Sequence, residues 1–115
     1  MKVQEFVERF SLYVAAGQNA LDRQILGGYC GDLLSDVMAN APTGCIWLTV
    51  QTHQNIVSVA VLHEMAAIVL TGGQAPDQET IERADQERIP ILQWPGSAFD
   101  LAGQAHAAGL TDQTS

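Results

Sequence analysis

The chain has 115 residues, enough for one domain and too few for two ordinary ones, and its 47% hydrophobic content makes a packed core the expectation. Thirteen acids against five bases leave a formal charge of −8. That balance excludes the basic face of a nucleic-acid binder and argues against docking on an anionic membrane surface.

Val3, Phe6, Val7 and Phe10 recur at helical spacing and predict a short amphipathic helix. Leu12–Ala16 reads as a short strand ended by Gly17. Residues 25–31 read as a second strand, broken by Gly27 and Gly28 through a bulge or a close backbone contact. Leu33, Leu34, Val37, Met38 and Ala41 form a helical stripe that Pro42-Thr43-Gly44 ends. Cys45–Gln51 is short and β-rich, as a buried strand should be.

Asn55 is placed to cap a helix over residues 56–65. The apolar run 67–71 is a further strand, closed by Gly72 and Gly73. Pro76-Asp77 opens a polar helix through Arg88, and residues 89–92 make another strand. Ser97 caps a last helix with Leu101, Ala102 and Ala105 inward and Gly109 as its stop. The expected domain covers residues 1–110, with 111–115 as a flexible tail.

From residue 25 onward strand and helix alternate with short connections. The alternation predicts a single three-layer α/β domain, with a mostly parallel sheet and helices on both faces. Cys30 and Cys45 in a chain whose start has no secretory pattern point to reduced thiols in a cytoplasmic protein. No segment has the length and apolarity of a membrane span.

Open α/β sheets bind ligands outside the carboxyl ends of their strands. Three such ends stand out: Asp32; Thr52 with His53; and Thr71, Gly72 and Gly73. Each precedes a helix, where backbone N–H groups can meet an anion. The blander reading of Gly72-Gly73 is a tight turn, and it matches neither a P-loop nor a dinucleotide fingerprint. His53 at a strand end can bind, donate or cap. His63 reads as a satisfied, half-buried side chain and His106 as exposed. The cysteines and histidines lack metal-ligand spacing, so no metal and no cofactor are expected. Trp47 and Trp94 read as core and edge packing.

Asp22-Arg23, Gly27-Gly28, the run from Asp32 to Met38, Gln51-Thr52-His53 and Leu70-Thr71-Gly72-Gly73 together resemble a stand-alone DRTGG-domain protein. The family name can be read in Asp22-Arg23 and Thr71-Gly72-Gly73. Such domains are similar to the N-terminal domain of HPr kinase/phosphorylase. They accompany CBS pairs and phosphotransacetylase-type proteins as regulatory modules, often at dimer interfaces. The resemblance implies no catalytic residues, and without a P-loop no kinase activity carries over. It implies a homodimer and a partner in signalling or redox metabolism.

Three functions are expected in order. The first is a non-catalytic regulatory or ligand-sensing module, dimeric, holding a small ligand (anionic ones included) with Thr71, Gly72, Gly73, Thr52, His53 and Asp32. The second is a protein-interaction adaptor that docks through the helix over 56–65 or the Trp94 edge. The third is an enzyme using His53 with Asp32 or Asp36, which requires those side chains within hydrogen-bond reach.

Overall fold

The computed structural model describes residues 1–111. Helix α1 (Val3–Phe10) is followed by β1 (Tyr13–Ala16), a turn of 3-10 helix, and then β2 (Gly27–Cys30). Helix α2 (Leu34–Asn40) and three further strand–helix steps follow: β3 (Cys45–Thr49), α3 (Asn55–Leu62), β4 (Ala67–Leu70), α4 (Gln78–Glu87), β5 (Ile91–Gln93) and α5 (Ala98–Ala107). The expected helices and strands are all present; several ends are trimmed, α3 starts one residue earlier, and β5 begins after Pro90 and reaches Gln93.

One five-stranded sheet has the order β1-β5-β4-β3-β2. Strands β2 to β5 run parallel, and β1 joins β5 antiparallel. Because the parallel strands follow in sequence, each crossover steps the same way, and α2, α3 and α4 share one face. Trp47, Ile68 and Leu70 point to that face, packed with Val37, Ile56, Val57, Ala60 and Ala84. Ile46, Leu48 and Val69 point to the other, packed with Val3 and Phe6 of α1 and Leu101 and Ala105 of α5. The alternation along β3 and β4 is the period-2 pattern of a sheet buried on both sides.

Between β1 and β2 the chain crosses the amino ends of the parallel strands. Arg23 fastens that crossing by donating to the carbonyls of Met65 and Arg88, at 3.3 and 3.0 Å. Gly17 begins it with φ +70°, and a Cβ there would lie 2.4 Å from the Ile89 carbonyl oxygen. Only glycine fits such a contact.

Several local expectations are corrected. Gly27 and Gly28 pair with Cys45 and Ile46 in unbroken register, so there is no bulge in β2. A Cβ on Gly28 would come no closer than 3.8 Å to the Thr111 carbonyl oxygen, an ordinary contact. The irregularity lies in β1, between Val14 and Ala16. Asn55 is the first residue of α3 and does not cap it; Gln54, already in a helical conformation, precedes it. In the α2 stripe Val37 is fully buried, but Leu33 and Met38 are exposed. The His63 Nε2 is buried without a hydrogen-bond partner, so this histidine is not the satisfied one expected. Ser97 does cap α5, its hydroxyl accepting from the Asp100 N–H. The Thr111 carbonyl accepts a hydrogen bond from the Gly28 N–H, and the rest of the expected tail, 112–115, lies outside the described residues. No helix among the described residues is long and apolar enough to cross a membrane.

Candidate ligand site at the carboxyl edge

The carboxyl ends of β2 to β5 all emerge at one edge of the sheet, and the expected site residues lie along it. Their hydrogen bonds divide them into three groups, each of which ties two loops together.

The first group joins the ends of β2 and β3. Asp32 Oδ1 accepts from the Thr49 hydroxyl and from the Val50 N–H, both at 2.9 Å. The Asp32 carbonyl accepts from the Gln51 side-chain amide at 3.0 Å. Thr49 is buried, and a carboxylate bonded to a hydroxyl and an N–H is well satisfied. Asp36 faces Tyr29 and Asn40 instead. The bond to that carboxylate raises the Tyr29 phenol above its ordinary value.

The second group joins the β3–α3 loop to the start of α4. The Thr52 carbonyl accepts from the Asp77 N–H and the Thr80 hydroxyl, at 3.2 and 2.7 Å. His53 Nδ1 lies 2.7 Å from Asp77 Oδ2, with both side chains open to solvent. Gln54, Gln78, Glu79 and Thr80 complete an open polar cleft of about 320 Å³ around this pair. The partner of His53 is therefore Asp77, not Asp32 or Asp36, which are committed to other groups. Asp77 was legible only as the residue that opens α4. Its place beside His53 needs β3 and β4 to be adjacent.

The third group is the turn after β4. Thr71 is buried, and its N–H donates to the Thr49 carbonyl at 3.0 Å. The Gln74 N–H returns to the Thr71 carbonyl at 3.4 Å, closing a turn over Gly72 (φ +70°) and Gly73 (φ +76°). Two central residues with positive φ are what a type I′ turn requires. Nothing lies within 4 Å of a Cβ built on either glycine, so backbone conformation, not crowding, calls for glycine there. The Gly72 N–H donates to the Gly96 carbonyl at 2.7 Å and the Gly73 N–H to the Trp94 carbonyl at 3.3 Å. These N–H groups, expected to be free for an anion, are held by the β5–α5 connection.

Charge is one-sided along this edge. The loops and first helical turns after β2 to β5 carry Asp32, Asp36, Asp77, Glu79 and Asp100, and neither lysine nor arginine. Acids in first turns suit the helix dipole, but together they make the edge negative. Among the described residues no group of three or more His, Cys, Asp or Glu side chains could hold a metal ion. Cys30 and Cys45 are both free, the first exposed and the second buried. Burial pushes the Cys45 thiol up to about 12. Cys30 is also raised, by partial burial first and the nearby Asp32 second. Neither carries the lowered pKa of a reactive thiol.

The DRTGG domain model matches residues 32–108. Asp22-Arg23, the dipeptide that resembles half of the family name, falls outside that match and at the opposite end of the sheet from Thr71-Gly72-Gly73. No curated protein matches the chain. Among solved structures, the chain is similar to the CBS and DRTGG domains of the regulatory region of Clostridium perfringens pyrophosphatase, complexed with its activator diadenosine tetraphosphate. The TM-score is 0.67 at 14% identity, over 89% of this chain and 44% of that one. That likeness is one of fold, and this chain spans less than half of its neighbour.

Proposed function

The chain belongs to the DRTGG domain family, and from that premise we propose that it is a cytoplasmic regulatory module without chemistry of its own, a homodimer that senses a small ligand at the carboxyl edge of its sheet. The observation that carries the reading is the pairing of Gly72 and Gly73 N–H groups with the carbonyls of Gly96 and Trp94. The two donors sit on an exposed turn with open space beside them. A ligand oxygen that takes them displaces the two carbonyls and loosens the β5–α5 connection. Binding and structural response are then one event, which is what a sensor needs. His53 and Asp77, in the neighbouring cleft, supply the polar groups that orient the rest of the ligand.

The negative edge constrains the ligand's chemistry. A bare phosphate approaches an edge on which every charged side chain is a carboxylate, with Asp77 and Glu79 lining the cleft itself, so a phosphate that arrives with its own divalent cation is the better fit. The nucleotide bound by the pyrophosphatase regulatory region sets the class to try first.

The test is thermal unfolding with ATP, diadenosine tetraphosphate and inorganic phosphate, each with and without magnesium. A ligand of the folded state stabilises it by about 2.7 kcal/mol at a hundredfold excess over its dissociation constant. The expected result is a shift with a magnesium nucleotide that Gly73→Val and His53→Ala both remove, each compared with its own unliganded melting point. A shift that survives both substitutions overturns the site. No shift with any of the three overturns the sensor in favour of an adaptor. One observation favours that second reading: the exposed apolar side chains of α2 and α3.

A further inference from the structure

Strand β2 carries a glycine that neither its backbone nor its neighbours require. Gly28 has no left-handed conformation. A Cβ built on it would meet the Thr111 carbonyl oxygen at 3.8 Å and the Ile46 Cγ2 at 3.9 Å, both ordinary contacts. A glycine inside a strand gives up a packing side chain and costs chain entropy. Strands of a parallel sheet covered on both faces are ordinarily filled with Val, Ile and Leu. Gly28 instead lines a hollow of about 160 Å³ between β2 and α5.

Gly28 and Cys30 pair with Ile46 and Leu48, whose side chains point to the face that α1 and α5 cover. These four residues form the floor of the hollow. Ala102 and Ala105 of α5, with Leu110 beyond it, form the wall, and the exposed His106 stands at the mouth. The Thr111 carbonyl, accepting from the Gly28 N–H at 2.9 Å, closes the side along the β2 edge. No aspartate, glutamate, lysine or arginine lines the hollow. The Cys30 thiol is raised by partial burial first and Asp32 second, so it stays protonated at neutral pH. An anion finds no counter-charge here in a chain of net charge −8, and a cation finds no carboxylate in the lining. An apolar cavity of similar size, about 150 Å³, stays dry and takes up benzene. The chain beyond Thr111 reads Asp-Gln-Thr-Ser, which brings no apolar residue to fill the space.

We propose that the hollow between β2 and α5 is a second binding site, whose ligand is a small uncharged aromatic molecule of one or two rings with a single polar substituent. The ring packs on Ile46, Leu48 and Ala105, and Gly28 lets it approach the β2 backbone closely. The substituent lies at the mouth, beside the Cys30 thiol and the His106 imidazole. The site is on the α5 face of the sheet, whereas His53 and Asp77 stand at the starts of α3 and α4 on the other. The inference is therefore independent of the ligand proposed for the carboxyl edge.

The test is a titration of the isotope-labelled full chain with indole and phenol, with benzoate as the charged control, followed through the backbone amide resonances. Gly28→Val and Ala102→Leu put a side chain into the hollow from its floor and from its wall, and circular dichroism checks that each is folded. The expected result is saturable binding of indole or phenol, with shifts centred on Gly28, Cys30 and Ala105. Benzoate should bind the wild type roughly tenfold or more weakly, and both variants should lose roughly tenfold or more in affinity for the neutral rings. Saturating indole should also slow the labelling of Cys30 by Ellman's reagent in the wild type and not in Gly28→Val. No shift with either neutral ring overturns the site, as do shifts that survive both substitutions or centre on an exposed side chain elsewhere, such as Phe99. Equal binding of benzoate overturns the uncharged ligand.

Discussion

Two glycines with nearly the same backbone conformation are held for different reasons. Gly17 and Gly73 have φ of +70° and +76°. At Gly73 a side chain would point into open space, so Gly73→Ala bears only the left-handed cost of about 1–2 kcal/mol. At Gly17 a Cβ would be driven into the Ile89 carbonyl. Gly17→Ala adds overpacking of about 1–3 kcal/mol to the same conformational cost. Urea unfolding of the two variants should rank Gly17→Ala as clearly the more damaging, and equal losses would mean the close approach at Ile89 relaxes freely. The sequence marks Gly72-Gly73 as a turn, because turn chemistry is local. Nothing near Gly17 in the sequence announces Ile89, which only the antiparallel pairing of β1 with β5 brings beside it.

Helix ends divide along the same line. Ser97 was readable as a cap, and its hydroxyl accepts from the Asp100 N–H at 3.1 Å. Asn55 looks like a cap and is not one, because the loop before it is already helical at Gln54. Ser97→Ala should therefore cost about 1 kcal/mol. Asn55→Ala should be neutral or stabilise by up to about 0.7 kcal/mol through helix propensity. Thermal melts of the two variants check the pair, and a large loss at Asn55 would mean its side chain does bond the first turn. The α2 stripe departs from its sequence pattern for a different reason. Periodicity at Leu33, Leu34, Val37 and Met38 finds the apolar face of a helix but not what covers it, and the sheet covers only the Val37 side.

Burial within the assembled molecule sets its behaviour at high pH. Cys45 opens β3 in the core, and burial lifts its thiol from 9.0 to about 12. Between these values the unfolded chain loses the proton that the folded chain keeps, so the unfolded state binds fewer protons and stability falls as pH rises. The stabilisation is complete below about pH 9 and declines at up to about 1.4 kcal/mol per pH unit above it. Cys45→Ala should flatten that decline, and an unchanged pH profile would exclude Cys45 as its cause. The same burial separates the two thiols. Ellman's reagent at pH 8 should label Cys30 in the native protein and Cys45 only after unfolding, whereas two rapid native equivalents would contradict the packing of β3.

The order of strands and helices, the buried character of β3 and β4, and the Gly72-Gly73 turn follow from periodicity, apolar runs and turn residues, all of which act within a few positions. Three facts that decide the site do not. His53 pairs with Asp77, the Gly72 and Gly73 N–H groups are held by the β5–α5 connection, and α3 turns an apolar flank outward. Each depends on which strands become neighbours and which helix faces are left over. Those outcomes come from closing the whole sheet, where hydrogen-bond partners far apart in the chain are chosen together, and no local stretch of sequence carries that choice.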